Sequence, residues 1–257
     1  MTRNPIAIGY YTMVRKDFIR IIRIWSQTLL PPIITTALYF AIFGTFIGSQ
    51  VSKIHGFSYI LFIVPGLVMM AIITSSYMNT VSTFYFAKWQ KTIHEQLTAP
   101  MPDWVVIAGF VTGGVMRGLI VGVLVVGVSL FFTHLVIFNA LIVIGAAILT
   151  ALLFSLAGLV NAIFAKSFDA ISIVPTFVLT PLTYLGGIFY SIDQLPPFFR
   201  TLSLANPILY MVNAFRYGFL GVSDVPLGIS FGVMGGLILV LVVITLLLFR
   251  TGTGTKS

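Results

Sequence analysis

Six long apolar stretches constrain this sequence more than any other feature. They cover residues 26–48, 58–85, 105–133, 137–165, 170–190 and 227–249. A helix needs about 20 mostly apolar residues to cross the roughly 30 Å hydrocarbon core of a bilayer, because each residue adds about 1.5 Å. Every stretch meets that length, none contains Asp, Glu or Lys, and only the third contains an arginine, Arg117. The sequence therefore predicts an all-α, polytopic membrane protein with six transmembrane helices.

The composition excludes several other classes of protein. Only 8% of the 257 residues are charged, and 58% are hydrophobic. Soluble domains carry roughly 25% charged residues, and disordered chains combine high charge with low hydrophobicity, so both classes are excluded. The sequence contains no cysteine. A disulfide framework, a zinc–thiolate site and a cysteine nucleophile are therefore excluded as well.

The lysine and arginine residues predict the orientation in the membrane. Six spans place both termini on one side, which carries ten of the 14 basic residues, whereas the opposite side carries three. Basic residues in short loops favour the cytoplasmic side. We therefore expect both termini to be cytoplasmic. The net charge of +8 is then a consequence of topology, and no nucleic-acid partner is expected.

Residues 1–25 are predicted to form a cytoplasmic tail that contains an amphipathic helix over residues 10–25. At 100° per residue one face carries apolar side chains and the opposite face carries cations. The apolar face consists of Val14, Phe18, Ile21, Ile22 and Trp25, and the basic face of Lys16, Arg20 and Arg23. Such a helix lies in the headgroup layer with its cations toward anionic lipid. Residues 26–257 are expected to form a single six-helix domain.

Several functional classes lack the residues they require. No lysine follows a glycine, so the chain has no phosphate-binding loop and is not expected to hydrolyse ATP itself. The three histidines, His55, His94 and His134, fall in different loops and lack metal-ligand spacing. No carboxylate or histidine lies inside a span, which argues against proton or sodium coupling. A passive channel and an ATP-driven permease remain.

Arg117 is the one charge within a predicted span, and two interpretations are open. A charge near the bilayer centre costs roughly 3 kcal/mol on insertion scales, so it must face protein or water, or extend toward the interface. In the structural interpretation Arg117 pairs with a carboxylate such as Asp169. In the functional interpretation it is a fixed cation that lines a transport route for an anionic head group.

Glycines spaced four apart occur in two spans. They are Gly114, Gly118 and Gly122 in the third span, and Gly228, Gly232 and Gly236 in the sixth. Small residues at this spacing allow another helix backbone to approach closely, so both stripes predict helix packing.

Two connections have structure of their own. The cytoplasmic loop 86–104 contains a short helical segment, stopped by Pro100 and Pro102, in which Lys91 and Glu95 are predicted to form an ion pair. The external segment 191–226 is rich in apolar residues and is divided at Asn206–Pro207. Since long loops normally have structure or a function, we expect two short re-entrant helices before the last span.

Several motifs resemble one known family. They are the run Pro181-L-T-Y-L-G-G-I-F-Y-Ser191, Leu195–Pro196 followed by Pro207-I-L-Y-x5-Arg216, Trp25-x-Q-T-L-x-P-P, F-I-V-P-G at residues 62–66, and F-A-K-S-F-D at residues 164–169. Together they extend over most of the chain. On these motifs the sequence resembles the ABC-2 type family of ABC-transporter permeases.

The resemblance implies partners and an energy source. It implies a permease subunit of an ATP-binding-cassette exporter in the bacterial inner membrane, working with a second copy of itself and two separate ATPase subunits in the lipid bilayer. ATP and magnesium would be bound by those subunits, and this chain would bind no cofactor and would not be an enzyme. The alternative function is a passive channel or pore-forming subunit without ATP coupling.

The resemblance also implies roles for particular residues. The translocation route would lie between the two copies, lined chiefly by the first, second and fifth spans. The residues form three groups: Lys91, Glu95, Leu97 and Pro100 in a loop that couples to the ATPase; Tyr184, Phe189 and Tyr190 as route or gate residues; and Leu195, Pro196, Pro207, Tyr210 and Arg216 in the external re-entrant motif. Arg117 joins the route residues on the functional interpretation of its charge.

Overall fold

A computed structural model describes residues 5–48, 50, 53–98 and 101–252. All the longer elements in these ranges are helices, which confirms the all-α class. In chain order they are α1 (Pro5–Arg23), α2 (Trp25–Thr28), α3 (Leu30–Tyr39), a π-helical segment (Phe40–Ile47), α4 (Tyr59–Trp89), α5 (Thr92–Thr98), α6 (Asp103–Ser129), α7 (Ala140–Phe164), α8 (Phe168–Val174), a second π-helical segment (Pro175–Leu179), α9 (Thr180–Tyr184), a 3-10 turn (Ile192–Gln194), α10 (Pro197–Leu204), α11 (Pro207–Leu220) and α12 (Leu227–Thr251).

Five of the six predicted spans are long and apolar enough to cross a membrane. They are Trp25–Gly44, Tyr59–Trp89, Asp103–Ser129, Ala140–Phe164 and Leu227–Thr251. The stretch predicted at residues 170–190 instead forms a shorter apolar helix, Phe168–Tyr184. It begins after the side-chain cap of Ser167 and ends before Gly187, whose φ is 70°. The count of six spans is therefore not confirmed, because a left-handed turn ends the fifth apolar stretch early.

The helix α4 lies at the centre of the bundle, between α6 and α7. A Cβ atom added to Gly118 of α6 would overlap Ser76 Oγ of α4, and one added to Gly114 would overlap Thr80 Oγ1. The glycine stripe of the third span therefore packs as predicted. The stripe of α12 packs against no other helix of the described chain, because a Cβ atom added to Gly228, Gly232 or Gly236 would meet nothing within 4 Å there.

The N-terminal helix α1 buries only part of the apolar face predicted for it. It packs on α6 through a side that buries Asp17 and Ile21, while Phe18, Ile22 and Trp25 remain exposed. The guanidinium of Arg20 points inward and donates to Asn79 Oδ1 of α4 at 2.9 Å. The expectation that Arg20 faces anionic lipid is therefore wrong, since polar groups of α4 offer it a partner inside the protein.

The end of the bundle at which α4 and α12 begin is called the outer end here, because the predicted orientation places it outside. The segment 191–226 forms α10 and α11 there, divided at Asn206 as the sequence indicates. Asn206 Oδ1 accepts from the Ile208 amide at 3.0 Å, and its Nδ2 donates to Leu182 O at 2.6 Å. This side chain both begins α11 and ties it to α9. Re-entry of the two helices into the membrane stays a prediction.

The contact between α4 and α6 can be tested by filling it. We expect Gly118→Val to destabilise the protein by about 1–3 kcal/mol, because overpacking forces helices apart. Gly127→Val, on the same helix, should change stability much less, since a Cβ atom there would meet nothing within 4 Å. Unfolding of both purified variants in detergent, followed by circular dichroism, measures the difference. Equal stability of the two variants would contradict this packing.

Candidate functional site

A cleft of about 310 Å³ lies between the first span and α4. Because α4 is continuous from Leu67 to Met78, the cleft extends about 16 Å along the bundle at about 1.5 Å per residue. Its lining consists of Gln27, Pro31, Pro32, Thr35, Thr36 and Tyr39 from the first span, Leu67, Met70, Ala71, Thr74, Ser75 and Met78 from α4, and Arg117 from α6.

The walls of the cleft combine apolar and hydroxyl side chains with one charge. Leucine, methionine and alanine side chains of α4 supply apolar surface, and Thr35, Thr36, Thr74 and Ser75 supply hydroxyl groups. Among the described residues that line the cleft, Arg117 alone is charged. Such a mixture of apolar surface with a few polar groups is typical of sites for small amphiphilic molecules.

The partner of Arg117 is a backbone carbonyl and not a carboxylate. Its Nη2 donates to Thr28 O at 3.1 Å, while Asp169 lies exposed at the start of α8. The pairing with Asp169 expected in the structural interpretation is therefore wrong. The carbonyl of Thr28 is free to accept this bond because the residue four positions on, Pro32, has no amide to donate. Arg117 Nε is buried and has no hydrogen-bond partner among the described residues.

Aromatic side chains gather at the end of the cleft farther from Arg117. Tyr39 Oη and Tyr184 Oη are 3.0 Å apart. The Phe189 ring is 4.8 Å from that of Phe43 and stacks on that of Tyr184 at 6.1 Å. The structure thus brings together two of the predicted gate residues, Tyr184 and Phe189, and adds Tyr39 and Phe43. The third, Tyr190, turns away, with its hydroxyl 3.4 Å from Ser203 Oγ.

A second polar cluster joins α1 to α4 near the cytoplasmic end predicted from the charges. Arg20 Nη2 donates to Asn79 Oδ1 and to Thr83 Oγ1, and Arg20 Nε is 3.8 Å from Asp17 Oδ1. Burial raises the pKa of the Asp17 carboxyl, although the charges of Arg20 and Lys16 lower it. Asn79 and Thr83 belong to no sequence motif. Their only signal in the sequence is a spacing of four residues within the hydroxyl-rich part of α4, residues 74–83.

The predicted coupling loop differs from expectation at Lys91. Lys91 has a φ of 61° and precedes α5, so the helical spacing that would pair it with Glu95 does not apply. The predicted ion pair is wrong for this reason. Glu95 lies instead at a shallow cleft of about 300 Å³ that also contacts Lys16 of α1. The side chain of Leu97 and the whole of Pro100 lie outside the described residues.

Arg216 is buried inside the bundle rather than placed in an exposed loop. Its Nη2 donates to Gly187 O at 2.6 Å. Its guanidinium carbon lies 3.9 Å from the centre of the Phe62 ring of α4. The residue therefore ties α11 to the turn after α9 and to α4. A buried cation over an aromatic face is a favourable contact.

The other residues of the external motif lie close in sequence to this contact. Leu195 ends the 3-10 turn, Pro196 precedes α10, and Pro207 is the first residue of α11. A proline suits that first position, because the amide it lacks would have no partner in the helix. Tyr210 Oη donates to Leu204 O at 2.7 Å and joins α11 to the end of α10.

Comparison with known proteins defines the class of this protein. Residues 9–220 match the family described as "ABC-2 type transporter". The match extends over most of the chain, and it agrees with the long apolar helices of the structure. The protein belongs to the ABC-2 type transporter family, and it is a transmembrane transport protein.

Two relatives show how close the similarity is within curated proteins. The chain is 56% identical over 242 residues to the inner membrane transport permease YadH of Escherichia coli (strain K12), and the alignment covers 94% of each protein. It is 26% identical over 219 residues to nodulation protein J of Rhizobium leguminosarum bv. trifolii, which covers 84% of this chain and 82% of that protein.

The buried position of Arg216 predicts a strong effect of a conservative change. Arg216→Lys should destabilise the protein by about 2 kcal/mol. The planar guanidinium lies over Phe62 while it donates to Gly187 O, and a lysine ammonium, which is not planar, cannot make both contacts in the same way. Arg200→Lys is the matched control, since Arg200 forms an exposed pair with Asp193 and should change stability by less than about 0.5 kcal/mol. Thermal unfolding in detergent compares them. An Arg216→Lys protein as stable as the control would refute the assigned contact.

Proposed function

We propose that this protein is the permease subunit of an ATP-binding-cassette exporter. Two copies would form the translocation route, and two separate ATPase subunits would supply the energy and bind ATP and magnesium. The chain itself would catalyse no reaction. The relative named as an inner membrane transport permease supports a multi-pass location in the bacterial inner membrane, and the distribution of lysine and arginine supports cytoplasmic termini.

The cleft between the first span and α4 is the main structural support for this proposal. It has a cation at one end and apolar and hydroxyl walls. The bonded pair Tyr39 and Tyr184 lies at the other end. A molecule with an anionic head and an apolar body would match this order of groups. Opening of the aromatic end would then release it on the outer side.

The coupling to an ATPase would pass through α5 and α1. Glu95 of α5 and Lys16 of α1 line one shallow cleft at the predicted cytoplasmic end. A subunit docked on α5 would therefore also act on α1. Displacement of α1 would reach the transport cleft, because Arg20 and Thr28 connect this region to α4 and to Arg117.

A co-purification experiment tests the proposal and its alternative, a passive channel. We expect the tagged permease, expressed with its neighbouring genes, to co-purify with an ATPase that contains a phosphate-binding loop. In proteoliposomes of that complex, Glu95→Gln should reduce ATP-dependent transport about tenfold, a loss of about 1.4 kcal/mol of coupling. The dimer should remain intact, as measured by its mass in detergent.

Asp169→Asn is the matched control for Glu95→Gln, since Asp169 is an exposed carboxylate at the same predicted side. It should retain wild-type transport. Permease that purifies without an ATPase and conducts ions in its absence would favour the passive channel. Normal transport by the Glu95→Gln complex would remove α5 from the coupling path.

Arg117 supplies a second test, because it is the only charge at the cleft among the described residues. We expect Arg117→Gln to weaken binding of a fluorescent fatty acid to the purified protein about tenfold or more, since hydrogen bonds to charged groups contribute about 1.5–3 kcal/mol. Binding of the corresponding fatty alcohol should change little. Titration by fluorescence anisotropy measures both.

Arg117→Lys keeps the charge and should restore most of the fatty-acid affinity. If both probes bind the Gln variant as they bind the wild type, Arg117 does not contact the head group. If Arg117→Gln yields no folded protein while Arg117→Lys folds and binds normally, its role is to hold Thr28 in place.

A further inference from the structure

A tight turn at the outer end fixes the direction of one histidine side chain. Ile54 and Phe57 exchange two backbone hydrogen bonds of 3.0 and 2.9 Å around His55 and Gly56. Both central residues have positive φ angles, 48° at His55 and 83° at Gly56. A residue other than glycine rarely adopts this conformation. The imidazole of His55 is thereby directed to Asp224, which precedes α12.

Three separate connections bring potential metal ligands together at this point. His55 precedes α4, Asp193 lies in the 3-10 turn after α9, and Asp224 lies between α11 and α12. One ligand atom from each side chain lies within 4.8 Å of the other two. His55 Nε2 and Asp224 Oδ1 are 3.1 Å apart.

The carboxylate of Asp224 is held in a fixed orientation. Its side chain is 2% exposed. Ser191 Oγ donates to Oδ1 at 2.8 Å, and the Ile192 amide donates to Oδ2 at 3.1 Å. Donors of this kind commonly orient the carboxylate ligands of metal sites from behind.

The separation of His55 and Asp224 suits a metal ion with about four ligands. Zinc binds histidine nitrogen and carboxylate oxygen at about 2.0–2.2 Å, so neighbouring ligand atoms lie about 3.3 Å apart in a tetrahedral site. The distance between His55 Nε2 and Asp224 Oδ1 is close to that value. Asp193 is exposed and can rotate toward the pair. A cavity of about 500 Å³ beside His55 and Asp224 gives an ion access and leaves room for water as a further ligand.

We propose that His55, Asp193 and Asp224 form a binding site for a divalent transition-metal ion of the zinc class. An imidazole among the ligands favours such an ion over calcium or magnesium, which prefer oxygen ligands throughout. The bound ion joins the turn before α4 to the segment that leads into α10. It also neutralises two carboxylates that otherwise face each other across one imidazole.

Arg200 competes with the metal for one of the three ligands. Its Nη2 lies 3.4 Å from Asp193 Oδ1, in an exposed pair. Its positive charge lowers the attraction of Asp193 for a metal cation. Removing this cation by Arg200→Gln is expected to raise the affinity for zinc, whereas Asp193→Asn is expected to lower it.

Titration of the full chain with zinc chloride tests the site. The protein is purified in detergent without a histidine tag, freed of metal with a chelator and titrated by calorimetry. We expect one zinc ion per chain for the wild type. His55→Asn should weaken binding at least tenfold, and it retains the turn, because asparagine tolerates positive φ. His134→Ala, a histidine change elsewhere, should bind as the wild type does.

Thermal unfolding with and without zinc separates binding from folding. Zinc should raise the unfolding temperature of the wild type and of His134→Ala, and should leave that of His55→Asn unchanged. A wild-type protein that binds no zinc would overturn the proposal and leave only the hydrogen bond between His55 and Asp224. Wild-type affinity in a folded His55→Asn protein would overturn it equally.

Discussion

The burial of α4 at the centre of the bundle is the constraint on which the rest of this structure depends. Lipid offers no hydrophobic drive between helices, so they associate through close contact of small residues and through polar bonds. Gly114 and Gly118 of α6 and Gly158 of α7 meet this requirement, because α4 side chains or backbone occupy the space of their missing Cβ atoms. The helix is thereby fixed from two sides, and its remaining surface is available to other elements.

Each region with a proposed role is attached to that remaining surface of α4. The side chains from Leu67 to Met78 form one wall of the cleft, Asn79 holds α1 through Arg20, and Phe62 lies under the buried Arg216. The order of these contacts along one helix places the cation-bearing end of the cleft near α1 and its aromatic end near α9. A single rigid element therefore sets the distances between the regions that a transport cycle would have to connect.

The helices were predictable from the sequence because a bilayer imposes length and apolarity on every span, and both can be counted. The glycine stripe of α6 and the division at Asn206 were predictable for equally local reasons. The partners of Lys91, Arg20 and Arg117 were not predictable. Each depends on a local turn, on the face that a helix turns inward or on a single free carbonyl, and hydropathy encodes none of these. Lys91 lies in a left-handed turn, and Arg117 bonds the Thr28 carbonyl, which Pro32 leaves without an amide donor.

The hydrogen bonds of Thr28 explain how a movement of α1 would reach the cleft under the proposed function. Thr28 follows the end of α1 by a few residues, and its carbonyl accepts from Arg117, the cation of the cleft. Its hydroxyl donates to the carbonyls of Ile21 and Ile24, which belong to the end of α1 and the junction after it. One residue thus bonds the end of α1 through its side chain and the cleft cation Arg117 through its backbone. A displacement of α1 large enough to break the first set of bonds would also move the acceptor of Arg117, so α1 and the cleft are mechanically linked at this point.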